Sequence, residues 1–145
     1  MVVQTSTPTP IAATAVCPPL PLVLVVDDDD DSLTLMAYIL EQLSCRACFV
    51  SDGLAALAAA QQQLPSLILS DIHLPQVDGY SLIQQLRAEG STQAIPVVAV
   101  TALASPADRH KILDAGFNGY ISKPFLIQPL EYLIQSFLGA PRSAV

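Results

Sequence analysis

The sequence predicts an α/β domain built on a five-stranded parallel sheet with helices packed on both faces. Five short apolar segments of strand type alternate along the chain with five helical segments of about 10–15 residues, a spacing typical of β-α-β units. The length of 145 residues is that of one domain, and apolar residues make up 52% of the chain. A chain of this size and composition can bury a hydrophobic core without disulfides.

The predicted strands are short runs dominated by Val, Leu, Ile and Ala. They cover residues 22–26, 47–50, 67–70, 96–100 and 120–122. Most of these runs are apolar throughout, which indicates strands that are buried on both faces, as in a parallel sheet.

The predicted helices are recognised by apolar periodicity and by the residues that begin and end them. An apolar stripe at three- and four-residue steps marks the first helix: Leu33, Met36, Ala37, Leu40 and Leu43. The other four are predicted over 54–63, 80–89, 106–116 and 129–139. Ser105 and Pro106 form a cap and a first-turn proline for the fourth helix, while Gly90 and Gly116 end the third and fourth helices.

The ends of the chain differ in composition from the predicted domain over 22–138. Residues 1–21 are rich in Thr, Pro and Ala without periodicity, so a flexible tail is expected there, and 139–145 form a short C-terminal tail. The N-terminal segment has no basic residue and is broken by prolines, unlike a secretory signal. No early apolar run approaches the roughly 18 residues of a membrane span. A cytoplasmic protein is expected, either a stand-alone protein or a fragment of a larger hybrid.

The charge and the cysteines exclude some classes of function. Thirteen acidic residues against six basic ones give a net charge of -7, which argues against nucleic acid as a partner. Cys17, Cys45 and Cys48 are too few for a disulfide framework. Cys45 and Cys48 spell C-x-x-C, but we expect two reduced packing cysteines and not a redox or zinc pair.

Polar side chains interrupt the apolar runs where four of the strands end. Asp27 and Asp28 follow the first strand, Asp71 the third, Thr101 the fourth and Lys123 the fifth. Because ligands of open α/β sheets bind outside the carboxyl ends of the strands, we expect these groups to converge there. The carboxylates suit Mg²⁺, and a carboxylate is a known covalent acceptor of phosphate. The set therefore predicts transfer of a phosphoryl group onto Asp71, with Lys123 and Thr101 contacting the phosphoryl oxygens.

Each of these residues also has an ordinary structural explanation: Asp71 as the cap of a turn, Thr101 as a strand residue and Lys123 as a surface lysine. The acidic run over 27–31 is compatible with a solvated loop and with capping of the first helix. His73 is either a base or metal ligand, or a loop residue that matters through its carbonyl. The run Arg109-His110-Lys111 is interpreted as a solvated helix face, with a partner contact as the alternative. The order of the four strand-end groups is what favours a functional site.

The motifs together resemble the receiver domain of bacterial two-component response regulators. The resemblance covers about residues 22 to 138. It is carried by Val25-Val26-Asp27-Asp28, Asp71-Ile72-His73-Leu74-Pro75 with Asp78-Gly79, Thr101-Ala102, Tyr120, and Lys123-Pro124-Phe125. It implies a flavodoxin-like (βα)5 doubly wound fold with strand order 2-1-3-4-5, an order that receivers exemplify, and a cis bond before Pro124.

The resemblance also implies the role of each site residue. Asp27, Asp28, Asp71 and the backbone carbonyl of His73 would hold Mg²⁺. Asp71 would accept phosphate from a sensor histidine kinase or a histidine phosphotransfer protein. Thr101 and Tyr120 would then reorient, remodelling the face of the fourth helix, fifth strand and fifth helix for a downstream protein target. Leu103, which cannot orient an attacking water, implies slow hydrolysis of the phosphoaspartate. A monomer or weak homodimer is expected.

Two other functions remain open from the residues. One is an interaction module that works without phosphorylation. The other is an aspartate-nucleophile phosphohydrolase of the haloacid-dehalogenase type, although its D-x-D-x-[T/V] motif is not matched at Asp27 or Asp29. Nucleotide binding has no support, because no Gly-rich loop follows any predicted strand.

Overall fold

A computed structural model describes residues 20–102 and 105–138. The strands are β1 Leu22–Val26, β2 Arg46–Val50, β3 Leu67–Ser70, β4 Val97–Thr101 and β5 Gly119–Ser122. They form one sheet in the order β2-β1-β3-β4-β5, with every neighbouring pair parallel. The predicted fold class and strand order are confirmed.

Five helices connect and cover the strands. They are α1 Asp30–Gln42, α2 Gly53–Gln63, α3 Gly79–Ala88, α4 Pro106–Ala115 and α5 Ile127–Leu138. Helix α5 begins two residues before the predicted Pro129, because proline is tolerated in a first turn whose N–H groups lack partners. Helix α3 ends at Ala88, before Gly90, and the buried Thr92 hydroxyl donates to the Leu86 carbonyl of its last turn at 2.8 Å.

The sheet separates two hydrophobic cores. Helices α2, α3 and α4 pack on one face, and α1 and α5 pack on the other. Along β1, Val23 and Val25 point into the α1–α5 core, and Leu24 and Val26 point into the opposite core. Strands β1, β3 and β4 are buried on both faces, which explains their continuous apolar sequence.

The two C-x-x-C thiols lie on opposite sides of this sheet. Cys45 packs against the α1–α5 core, and Cys48 packs against the other core. Side chains alternate along extended backbone, so positions three apart point in opposite directions. Both thiols are free.

Side-chain caps fix the starts of three helices at the carboxyl edge of the sheet. Asp52 accepts from the Ala55 N–H at 2.7 Å, and Asp78 accepts from the Ser81 N–H at 2.9 Å. Ser105 and Asp108 form a reciprocal capping box on α4. The sequence predicts the Ser105 cap but not the contribution of Asp108. These caps set the residues at which the loops at the carboxyl edge of the sheet end and the helices begin.

Some of the predictions concern parts of the chain that the structure leaves undescribed. Residues 1–19 of the predicted N-terminal tail, the predicted C-terminal tail and Leu103 lie outside the described residues. Among the helices in 20–102 and 105–138, none combines the length and apolarity needed to cross a membrane.

Candidate functional site

The backbones of Asp27 and Asp71 lie side by side at the carboxyl edge of the sheet. The Asp71 N–H donates to the Val26 carbonyl at 2.9 Å, and the Asp27 N–H donates to the Val50 carbonyl at 3.1 Å. Interstrand hydrogen bonding therefore continues one residue beyond β1 and β3. Because these two strands are neighbours, both carboxylates project at the same point.

Three carboxylates form a cluster at this point. Asp27, Asp28 and Asp71 each offer an oxygen, and the three oxygens lie within 4.8 Å of one another. Asp27 and Asp71 are buried, whereas Asp28 is exposed. Carboxylate oxygens with access to solvent are the ligands that suit Mg²⁺, which keeps several waters. The residue types and their spacing therefore fit a divalent metal.

The ammonium group of Lys123 bridges two of the carboxylates. Its Nζ lies 2.7 Å from Asp27 Oδ2 and 3.0 Å from Asp71 Oδ2. The Lys123 N–H donates to the Thr101 carbonyl at 2.8 Å, which brings the end of β5 to the same edge. The Lys123–Pro124 peptide bond is cis, as the resemblance implies.

Backbone N–H groups hold the second oxygen of each buried carboxylate. Asp71 Oδ1 accepts from the N–H groups of Ile72 at 2.7 Å and His73 at 3.3 Å. Asp27 Oδ1 accepts from the Asp29 N–H at 3.0 Å. Both carboxylates are therefore oriented without help from a metal.

The charges of the cluster are strongly coupled. Burial raises the pKa of Asp27, although hydrogen bonds from Lys123 and from the Asp29 N–H oppose the rise. Burial alone would lower the pKa of Lys123, but its hydrogen bonds to Asp27 and Asp71 outweigh that effect, and the pKa is raised. Lys123 is therefore a permanent cation at neutral pH beside an excess of negative charge.

Thr101 and Tyr120 lie on the two strands beyond Asp71. Thr101 ends β4 at the same edge, and its side chain is fully buried. The half-buried Tyr120 on β5 accepts a hydrogen bond on its hydroxyl oxygen from Arg109 Nη1 of α4 at 3.0 Å. The Arg109 guanidinium carbon also lies 5.7 Å from the centroid of the Tyr120 ring. Tyr120 is thus engaged with α4 through both its hydroxyl group and its ring.

The predicted solvated face of α4 also contacts neighbouring elements. Arg109, His110 and Lys111 are exposed, as predicted, and the Lys111 Nζ lies 4.7 Å from the centroid of the Tyr80 ring on α3. Two cation–aromatic contacts therefore hold α4 on either side. No local pattern could have identified these pairs, because their members come from different elements.

His73 lies on the loop that follows Asp71. Its side chain is exposed, and its N–H donates to the Asp71 carboxylate. An open groove of about 410 Å³ adjoins Lys123 and runs between α1 and the β5–α5 connection. Ser32, Leu35 and Phe125 contribute to its lining. The site can therefore be approached from solvent at Asp28 and along this groove.

Comparisons with known proteins agree with this geometry. The family model of the response regulator receiver domain matches residues 23–135. The polar-differentiation response regulator DivK of Brucella anthropi is 41% identical over 88 residues, covering 61% of this chain and 72% of DivK. The response regulator Rre1 of Synechocystis is 38% identical over 84 residues, covering 58% of this chain and 36% of Rre1.

Solved structures show the same similarity. The receiver domain of the sensor histidine kinase PA1611 from Pseudomonas aeruginosa, which has a magnesium ion coordinated in its active-site cleft, superposes with a TM-score of 0.78. It is 34% identical, and the match covers 84% of this chain and all of that one (100%). Chemotaxis response regulator CheY4 of Vibrio cholerae gives a TM-score of 0.77 at 25% identity, covering 82% and 99%. This chain belongs to the response regulator receiver family of two-component signalling proteins.

Proposed function

We propose that this receiver accepts a phosphoryl group on Asp71 in an Mg²⁺-dependent reaction. The observation that carries the proposal is the contact of one ammonium group, Lys123 Nζ, with both Asp27 and Asp71 inside a cluster of three carboxylates. The donor is the phosphohistidine of a sensor histidine kinase or of a histidine phosphotransfer protein. The protein is a switch that assists its own phosphorylation and dephosphorylation, working in the cytoplasm.

The transfer requires an oriented carboxylate and a compensating positive charge. An Asp71 oxygen attacks phosphorus, the P–N bond to the donor histidine breaks, and the imidazole leaves with that electron pair. The Ile72 and His73 N–H groups hold Asp71 before the reaction. After the transfer, the Lys123 ammonium contacts a phosphoryl oxygen in place of the carboxylate. The Thr101 hydroxyl donates a hydrogen bond to another phosphoryl oxygen.

The metal-binding residues would be Asp27, Asp28 and Asp71, with the backbone carbonyl of His73. Bound Mg²⁺ supplies neutralisation of charge on the phosphoryl oxygens. Before phosphorylation, burial raises the pKa of Asp27 despite its hydrogen bond from Lys123, and one ammonium faces three carboxylates in the cluster. That excess of negative charge is what favours a divalent cation here.

The phosphorylated site acts on a surface formed by α4, β5 and α5. A phosphoryl group adds about -1.5 to -2 charges next to the fully buried Thr101. Within α4, which is described in full, one residue, Ile112, is buried. A helix with so little buried surface belongs to the less stable part of a fold. Reorientation of Thr101 and Tyr120 would therefore displace α4 and change the face that a downstream protein binds, in a monomer or weak homodimer.

The test is labelling by a small acyl-phosphate donor. With Mg²⁺, wild-type protein should gain one phosphoryl group, and Asp71→Asn and Asp28→Ala should gain none. Asp114→Asn is the matched control, since Asp114 is an exposed carboxylate on α4 that pairs with His110. Persistent labelling in both site variants would refute the assignment.

Two further results would favour the other functions. Steady turnover of small phosphomonoesters would indicate a phosphohydrolase. Equal affinity of wild type and Asp71→Asn for a downstream partner, under phosphorylating conditions, would indicate a module that works without phosphorylation. A single turnover on Asp71 with a changed partner affinity supports the switch.

A further inference from the structure

The loop over residues 72–78, which follows Asp71 and carries His73, is enclosed by the first turns of two helices. Both helices begin with a glycine, Gly53 in α2 and Gly79 in α3. The Gly79 N–H donates to the Ile72 carbonyl at 2.7 Å. A Cβ on Gly79 would lie 2.7 Å from the Asp71 carbonyl oxygen. The α3 contact therefore fixes the start of the loop.

Gly53 makes the corresponding contact with the middle of the loop. Its N–H donates to the Pro75 carbonyl at 3.4 Å. A Cβ on Gly53 would overlap the Val77 carbonyl oxygen, and it would lie 2.7 Å from the carbonyl carbon and 2.9 Å from the Cβ of Val77. Most of these atoms belong to the backbone, which cannot swing aside as the end of a flexible side chain can. Two backbones meet here in a space that admits only glycine.

The segment that Gly53 contacts is a tight turn in a costly conformation. The Val77 N–H donates to the Pro75 carbonyl, two residues earlier, at 2.8 Å. Gln76 between them has a φ of 70°, in the left-handed region that disfavours residues other than glycine. Such a conformation persists where its surroundings over-determine it. The surroundings here are Gly53 and the core, against which Leu74 and Val77 pack.

We propose that Gly53 is a positioning residue for the metal site. The close backbone contact between α2 and the Pro75–Val77 turn sets the course of the loop, and so the place of the His73 backbone relative to Asp27, Asp28 and Asp71. This inference rests on the proposed function, since it concerns how well the cluster binds Mg²⁺.

The proposal predicts a specific defect for Gly53→Ala. The new methyl group forces the Val77 carbonyl away from α2, and the shift is passed along the loop towards His73. Loss of a residue that orients metal ligands typically costs 10–100-fold in affinity, so the Mg²⁺ dissociation constant should rise by about that factor. Labelling by the acyl-phosphate donor should be impaired at low Mg²⁺ and recover as Mg²⁺ is raised, because the defect is in metal binding.

The experiment is a calorimetric titration of each folded protein with Mg²⁺, well below its melting temperature. Gly90→Ala is the matched control, because a Cβ at Gly90 has no atom within 4 Å, and its dissociation constant should equal that of wild type. Val77→Ala keeps the atoms that meet Gly53 but removes the methyl groups that pack the same turn against the core. It should therefore loosen the turn and weaken binding too, and it replaces Gly53→Ala if that variant fails to fold.

The outcomes separate this inference from the proposed function. Equal Mg²⁺ affinity of wild type and Gly53→Ala, or of wild type and Val77→Ala where Gly53→Ala does not fold, would overturn the positioning role and leave the switch intact. An affinity loss with a labelling defect that high Mg²⁺ does not correct would also overturn it. Absence of Mg²⁺ binding by wild type would overturn both.

Discussion

Replacement of Lys123 by methionine isolates the charge that holds the acidic cluster together. Methionine keeps most of the side-chain volume and removes the ammonium group 2.7 Å from Asp27 and 3.0 Å from Asp71. At an effective dielectric constant of about 20, each of these pairs has a gross attraction of about 6 kcal/mol. Desolvation of the three groups cancels much of it.

The net cost follows from the burial of the groups. Breaking a buried ion pair by removing one partner costs about 3–5 kcal/mol. The Lys123 side chain is 18% exposed, so water can partly solvate the acids that it leaves behind. We therefore expect the free energy of unfolding, measured without metal at pH 7, to fall by about 3 kcal/mol, at the lower end of that range.

The deficit should depend on pH with a defined sign. The folded pKa of Asp27 is already raised above its ordinary value of 3.8, and loss of the ammonium raises it further. A carboxyl group with a raised folded pKa destabilises the folded state above that pKa. This penalty falls as the pH drops through the folded pKa and is gone below the unfolded pKa. The deficit should therefore be largest at neutral pH and shrink as acidification protonates Asp27.

The assay is urea unfolding followed by circular dichroism from pH 7 down to about pH 4, close to the ordinary pKa of Asp27, with and without Mg²⁺. Lys111→Met is the control, because it replaces the only other lysine and loses a single cation–aromatic contact worth about 1 kcal/mol or less. Mg²⁺ should restore stability to the Lys123 variant and bind it more tightly than wild type, since no ammonium competes. A deficit below about 1 kcal/mol at pH 7, or one that does not change with pH, would refute the reasoning.

Three further predictions concern other parts of the chain. Arg87 donates to the carbonyls of residues 93, 95 and 116 and to the amide oxygen of residue 118. Arg87→Met should therefore lower the free energy of unfolding in urea by about 2–3 kcal/mol. Arg46→Met, which loses one exposed side-chain hydrogen bond, should lower it much less. Burial raises the pKa of the Cys45 thiol, so iodoacetamide should modify Cys45 more slowly in native than in urea-unfolded protein. Mild oxidation should not join Cys45 to Cys48 while the protein stays folded. Equal modification rates, or an intramolecular disulfide seen by mass spectrometry, would contradict this. Leu103, outside the described residues, should give slow phosphoaspartate hydrolysis; substitution by a polar residue should speed the decay of the label, and unchanged decay would count against that role.

Several features of the site were predictable because they depend on local patterns. An apolar run that ends in a polar residue marks both a buried strand and its exposed end, as Leu69-Ser70-Asp71 illustrates. In parallel strands all carboxyl ends share one edge, so Asp27, Asp71 and Lys123 were expected to converge before any contact was known. Helix starts such as Ser105-Pro106 are also local, because a cap satisfies N–H groups within one turn.

Periodicity did not predict the contacts between distant elements. The meeting of Arg109 with Tyr120, the several carbonyls around Arg87 and the fit of Gly53 against Val77 each join separate segments. The opposite orientations of Cys45 and Cys48 became clear only when β2 and its two faces were known. Those pairings depend on how helices pack on the sheet, which local propensity does not encode.

The amino-acid sequence by itself determined the elements of this protein, the edge where its polar groups gather and, through its motifs, the family that it resembles. Only the tertiary structure decided the distances within the acidic cluster, the partner of Tyr120 and the tight passage of the loop past α2. The physical reason is that hydrophobic periodicity and capping act over a few residues, whereas close packing and charge compensation act between residues that the fold brings together.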